Sequence, residues 1–264
     1  MPIHLPPNLR RLADDDFKQI AFEAMQVIFA VQNEMGRLFD EVVYQKAVVR
    51  RIPGAQIEVP LRVSFEGFVK EYFLDLLVKD GALFEFKVAE ATHDRHRAQL
   101  LNYLLLLELP HGKLVNFRNE LVEHEFVNAP LTREDRIRFQ VEEHHYLPTT
   151  GAGRELQELF VRLLRDWGTG LDLRLYEEAL VYFFGGQQQV VQPVEILDGD
   201  AVLGSQKLPV IAPDTVLKLT ALSRDLDSFE NHLGRFLDHT RLDRLQWVNV
   251  GRKLVTFRTL RRRN

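Results

Sequence analysis

The sequence predicts an α/β protein built on a mixed sheet flanked by helices, and predicts it twice over. Three observations carry this. Apolar periodicities along residues 14–128 run helix, helix, three strands, helix, two strands, the order of an α/β sandwich. Much of that order returns over residues 154–264 at a shift of 132 to 133 positions. The 264 residues, 45% hydrophobic and 27% charged, supply core enough for one large or two ordinary domains.

Residues 1–13 read as an extended, proline-rich lead-in. Asp14, Asp15 and Asp16 supply an N-cap and an acidic first turn. Ile20, Ala24, Val27, Val31 and Met35 then recur at helical steps, with Gly36 as a left-handed cap. A second helix is expected over 40–51, stopped by Pro53 and Gly54. Ile57, Val59, Leu61, Val63 and Phe65 alternate with polar residues, as in a half-buried strand. Strands follow over 68–78 and 82–89, a helix over 93–109, and strands over 113–117 and 121–127. Residues 129–153, with Pro130, Pro148, Thr149, Thr150, Gly151 and Gly153, read as a link between the halves, with a short helix expected over 133–140.

The repeat rests on separated matches. Gly36, Asp40, Tyr44 and Ala47 correspond to Gly168, Asp172, Tyr176 and Ala179, and Asn116 to Asn249. In this alignment Glu41 falls on Leu173, Asp75 near Lys207 and Leu208, Glu85 on Val216 or Leu217, Lys87 near Lys218, and Gln99 near His232. The second copy is therefore expected to be degenerate, since leucine and valine cannot ligate a hard cation.

Bulk properties exclude several classes. A net charge of −4 argues against a coating nucleic-acid binder, though not against an enzyme with one basic groove. Without cysteine there are no disulfides or thiolate metal sites; that absence says little about compartment but is compatible with a reducing cytoplasm, the expected setting. The N-terminus lacks the apolar run of a signal peptide, and no segment is long enough for a membrane span. His93 and His96 have ligand spacing, but nothing completes a zinc set.

The chemistry concentrates in residues 72–103. Asp75 and Glu85 lie on adjacent strands joined by a turn, and Glu85 and Lys87 point to the same face. Two carboxylates and the carbonyl of Phe86 can then meet one Mg²⁺, or Mn²⁺ in its place, beside the lysine. The same acid-x-lysine pattern also describes a solvated strand face, but charges inside strands this apolar are costly unless paired or metal-bound. Glu41 begins the second helix with Tyr44 one turn on; alone it is also a surface acid. Gln99 shares a helix face with Asn102 or Tyr103, either as a phosphate or metal-water contact or as a polar helix edge. Tyr44, Asn102 and Tyr103 are the expected substrate contacts.

Taken together, these pieces resemble the GxxExxY protein family, a branch of the PD-(D/E)XK nuclease superfamily. The matching pieces are Gly36 through Glu41 to Tyr44 and Ala47, then YFLDLLV, LFEFKV, HRAQLLNYL and LVNF, in order. Leu38 stands where the family usually has a second glycine, and Val88 intervenes before Ala89. The resemblance implies a restriction-endonuclease-like fold. It maps the superfamily's metal-binding acids to Asp75 and Glu85, its lysine to Lys87, its first-helix glutamate to Glu41 and its second-helix glutamine to Gln99. The expectation is a Mg²⁺-dependent nuclease acting on nucleic acid, DNA before RNA, with its active site in residues 14–128 and an inactive copy in 154–264. The chain is then a monomer with an internal pseudo-dimer, or a homodimer. The alternative is a non-catalytic scaffold or nucleic-acid-binding module on the same fold.

Overall fold

The computed structural model describes residues 3–147 and 151–263, and the chain divides into two compact units between Arg133 and Glu134. Pro148, Thr149 and Thr150 of the expected link lie outside the described residues, as do Met1, Pro2 and Asn264.

The first unit is β1 (Ile3–His4), α1 (Asp14–Met35), α2 (Glu41–Val49), β2 (Ala55–Phe65), β3 (Phe68–Val78), β4 (Ala82–Lys87), α3 (Asp94–Leu107), β5 (His111–Asn116) and β6 (Glu123–Asn128). Its six strands form one sheet in the order β1-β2-β3-β4-β5-β6. Pairing is antiparallel except between β4 and β5, which are parallel because α3 crosses between them. The lead-in is thus partly a strand, since Ile3 pairs with Val63. The cap of α1 is Ala13 rather than an aspartate, its carbonyl accepting from the Phe17 nitrogen. The three aspartates supply only the acidic first turn. Gly36 has a positive φ of 76°, but its ψ of −161° lies outside the left-handed helical region.

The core of this unit packs Ile20, Ala24, Ile28 and Val31 of α1 and Tyr44 and Val48 of α2 against Leu76, Val78, Phe84, Phe86 and Val115 of the sheet and Phe117 just past β5. Phe84 and Phe86 are fully buried, each worth about 1.5–3 kcal/mol. They alternate along β4 with Leu83, Glu85 and Lys87, so packing Phe86 into this core fixes the opposite face for the two charged residues.

The second unit contains α4 (Arg133–Ile137), β7 (Gln140–His145), α5 (Gly151–Trp167), α6 (Leu173–Phe183), α7 (Gln187–Val190), β8 (Val191–Asp198), β9 (Ala201–Ala212), β10 (Thr215–Thr220), α8 (Leu226–Asp238), β11 (Arg244–Val250) and β12 (Leu254–Arg261). Its sheet order is β7-β12-β11-β10-β9-β8. The stretch read as a link holds the short helix expected there, as α4, and also supplies an edge strand of the second sheet. Pro130 precedes the helix, Gly151 and Gly153 belong to the first turn of α5, and Gln140–His145 pairs in parallel with β12.

Two six-stranded mixed sheets flanked by helices are consistent with the PD-(D/E)XK fold, and the pair fits a duplication. Hydrogen bonds reinforce the match. Tyr44 Oη donates to Gly36 O at 2.6 Å, and Tyr176 Oη donates to Gly168 O at 2.5 Å. The Asn116 side chain both donates to and accepts from the Ala89 main chain, and Asn249 does the same with Leu222. Asn116 stands beside Lys87, and Asn249 beside Thr220. The registers therefore make Thr220 the equivalent of Lys87 and Lys218 the equivalent of Glu85, correcting the alignment that matched Lys218 with Lys87. Among the described residues, no helix is long and apolar enough to cross a membrane.

Candidate active site

Lys87 is the meeting point of the first unit's charges. Its Nζ lies 2.7 Å from Glu85 Oε1, 3.6 Å from Asp75 Oδ2 and 3.6 Å from Glu41 Oε2. It also donates to the carbonyl of Phe86 at 2.6 Å. The partners come from three elements: α2 begins at Glu41, β3 carries Asp75, and β4 carries the rest. The Asn116 amide fixes the chain just beyond Lys87, and Phe117 N donates to Lys87 O at 2.9 Å.

Burial sets the electrostatics. The Glu85 side chain is fully buried. Burial first, and then the charge of Asp75, push its carboxyl up to about 8 against the pull of Lys87. Asp75 and Glu41 are also raised, chiefly by burial and against the attraction of Lys87. Burial alone would depress Lys87, but Glu85, Asp75 and Glu41 outweigh it and raise the ammonium above its ordinary value. One lysine thus faces three carboxylates. Glu85 Oε2 has no hydrogen-bond partner among the described residues. A buried oxygen left so costs about 1–3 kcal/mol.

That oxygen is the test of fit for a cation. No three or more His, Cys, Asp or Glu side chains are gathered as a metal-ligand set among the described residues. Two carboxylates and a main-chain carbonyl nonetheless fit a hard cation that keeps several waters. Asp75 and Glu85 with Phe86 O have this chemistry, and a cation there would satisfy the orphaned Oε2.

The helix α3 adds a polar arm. Gln99 Nε2 donates to Tyr103 Oη at 3.1 Å. Burial pushes the Tyr103 hydroxyl up, and the charges of Glu85 and Asp75 add to it against the Gln99 hydrogen bond. Its ring meets Tyr72 edge-on at 5.6 Å. Asn102 is buried, not presented to solvent.

Tyr44 corrects an expectation. It is fully buried, stacked on Phe117 at 4.3 Å, with its hydroxyl bonded to Gly36 O and accepting from Phe39 N. A side chain so engaged closes the loop before Glu41 and is out of reach of a substrate.

A cleft of about 840 Å³ opens beside these residues. Its walls include Glu41, Gln45, Glu58, Phe73, Asp75 and Arg118. Gln45, Glu58, Phe73 and Arg118 are not among the site residues expected from the sequence. Gln45 is one helical turn from Glu41, and that spacing was the available signal. Arg118 hid in a turn, and Phe73 in the alternation of β3.

Residues 18–128 match the model of the PD-(D/E)XK nuclease superfamily. The match covers the helices and strands that carry Glu41, Asp75, Glu85, Lys87 and Gln99. No curated protein matches the chain. A solved structure described as the crystal structure of SSO0001 is 19% identical, covering 46% of this chain and 61% of that one, with a TM-score of 0.29.

Proposed function

We propose that the first unit is a Mg²⁺-dependent nuclease and that the second is an inactive copy of it. The observation that carries this reading is Lys87 Nζ held within 3.6 Å of Glu41, Asp75 and Glu85, two of which, Glu41 and Asp75, line the cleft. A purely structural network would gain by replacing such buried charges with apolar residues.

Asp75, Glu85 and Phe86 O would hold Mg²⁺, with Mn²⁺ as a substitute and Glu41 adding a contact through water. The ion's chemistry is to polarise a phosphoryl oxygen and lower the pKa of bound water. Lys87 keeps its proton, as its raised pKa requires, and its ammonium orients the attacking oxygen and balances charge growing on the phosphate. Glu41 holds that ammonium from the α2 side. Gln99, tied to Tyr103, offers its amide to a phosphate or a water. In the second unit Leu208, Lys218 and Thr220 stand where Asp75, Glu85 and Lys87 would be, so the ligand set is gone. DNA is the preferred substrate in this reading.

The test is cleavage of plasmid and oligonucleotide DNA with Mg²⁺ or Mn²⁺ by wild type, Asp75→Ala and Lys87→Ala. Activity in wild type alone supports the proposal. Equal behaviour of all three removes it and leaves the non-catalytic scaffold.

A further inference from the structure

We propose that Glu58 is a positioning residue of this site and that it acts through its backbone. The catalytic arm of this proposal rests on the nuclease reading; the geometric arm does not. Glu58 lies inside the strand Ala55–Phe65, yet its φ is 51°. Residues with a Cβ avoid this region, and one found there is held by its surroundings. Among the described residues, no hydrogen bond or ion pair holds its carboxylate, so the side chain does not account for the twist.

The twist has a definite neighbour. Pairing of β2 with β3 runs from Ala55 with Val78 to Phe65 with Phe68, and the gap falls at Glu58, opposite Asp75. On the other edge, β3 pairs with β4 as far as Leu76 with Phe84, one step short of Asp75 and Glu85. Asp75 is therefore released from the ladder on both sides. Side chains of a regular strand stand roughly perpendicular to the sheet. The Asp75 carboxylate instead reaches across to its neighbour, where Oδ2 accepts from Phe86 N at 2.8 Å and faces Lys87. A left-handed residue at 58 keeps the ladder open and lets Asp75 make that reach. A regular strand there would close the gap and withdraw the carboxylate.

Backbone and side chain can be separated. Glu58→Gly removes the carboxylate but keeps the twist, which glycine adopts freely. Glu58→Val is β-branched, resists positive φ and favours a regular strand. The first readout is amide hydrogen exchange at Phe86. Wild type and Glu58→Gly keep its protection, while Glu58→Val exchanges at least tenfold faster there, with Leu77 and Val78 still slow. The second readout is cleavage with Mn²⁺: within threefold of wild type for Glu58→Gly, down at least tenfold for Glu58→Val. If Val also releases Leu77 and Val78, the less bulky Glu58→Thr is read in its place. Unchanged Phe86 exchange in the branched variant, or lost protection in Glu58→Gly, overturns the proposal. If no form cleaves DNA, the nuclease reading fails, while the exchange result still decides the role of Glu58.

Discussion

Lys87 and Glu85, two positions apart on β4, are bonded to each other, Nζ to Oε1 at 2.7 Å, while the second oxygen of Glu85 stays buried without a partner among the described residues. A single cation thus answers a buried acid only in part. Much of the behaviour expected of this unit follows from that deficit.

Stability of the metal-free protein should fall as pH rises. The folded-state pKa of Glu85 is raised from 4.5 to about 8, so between these values the folded state binds the proton that the unfolded state has lost. The slope from this group is negative, at most about 1.4 kcal/mol per pH unit. Thermal melts in EDTA from pH 5 to pH 8 should show it, and Glu85→Gln should flatten it. A wild-type stability that rises over that window would contradict the burial argument.

Lys87→Met should expose the same balance from the other side. Removing one partner of a buried charge set costs roughly 3 kcal/mol. The loss should be larger at pH 9, where Glu85 is ionised, than at pH 6, where a proton can replace the lysine. Denaturant unfolding at both values checks this. Cleavage by the variant should drop by about 10²–10⁴.

Divalent cations should stabilise the fold. At a hundredfold excess over the dissociation constant, a site specific to the folded state adds about 2.7 kcal/mol. Mn²⁺ should raise the melting temperature of wild type and leave Asp75→Ala and Glu85→Ala unmoved. An equal rise in all three would place the ion elsewhere.

Tyr44→Phe and Tyr176→Phe should behave as a matched pair in stability and differ in activity. Each deletes a hydroxyl that donates to a glycine carbonyl eight residues back. Each should lower stability by about 0.5–1.5 kcal/mol, or more where the glycine carbonyl is left unmatched. Tyr44 anchors the loop that leads to Glu41, so its variant should also slow cleavage. Loss of the Tyr176 hydroxyl should leave the rate alone, as read by initial rates at saturating Mn²⁺.

The sequence by itself determined the order of helices and strands over residues 14–128, the return of a second sheet after it and the residues to suspect. Those signals are local: a period of 3.6 marks α1, a period of 2 marks β2, and turn residues separate them. The alternation along ALFEFK already assigned Glu85 and Lys87 to one face. Tertiary structure decided the rest, because each remaining fact joins residues far apart in the chain. It brought Glu41, from a separate helix, to Lys87, buried Glu85 beside Asp75, and turned Tyr44 into the core rather than the cleft. It drew residues 140–145 into a sheet whose partner strand lies more than a hundred positions away. It also left Glu58 twisted opposite Asp75, a conformation no propensity of glutamate foretells. Periodicity reports which way a side chain faces; only packing between distant segments fixes what it meets there.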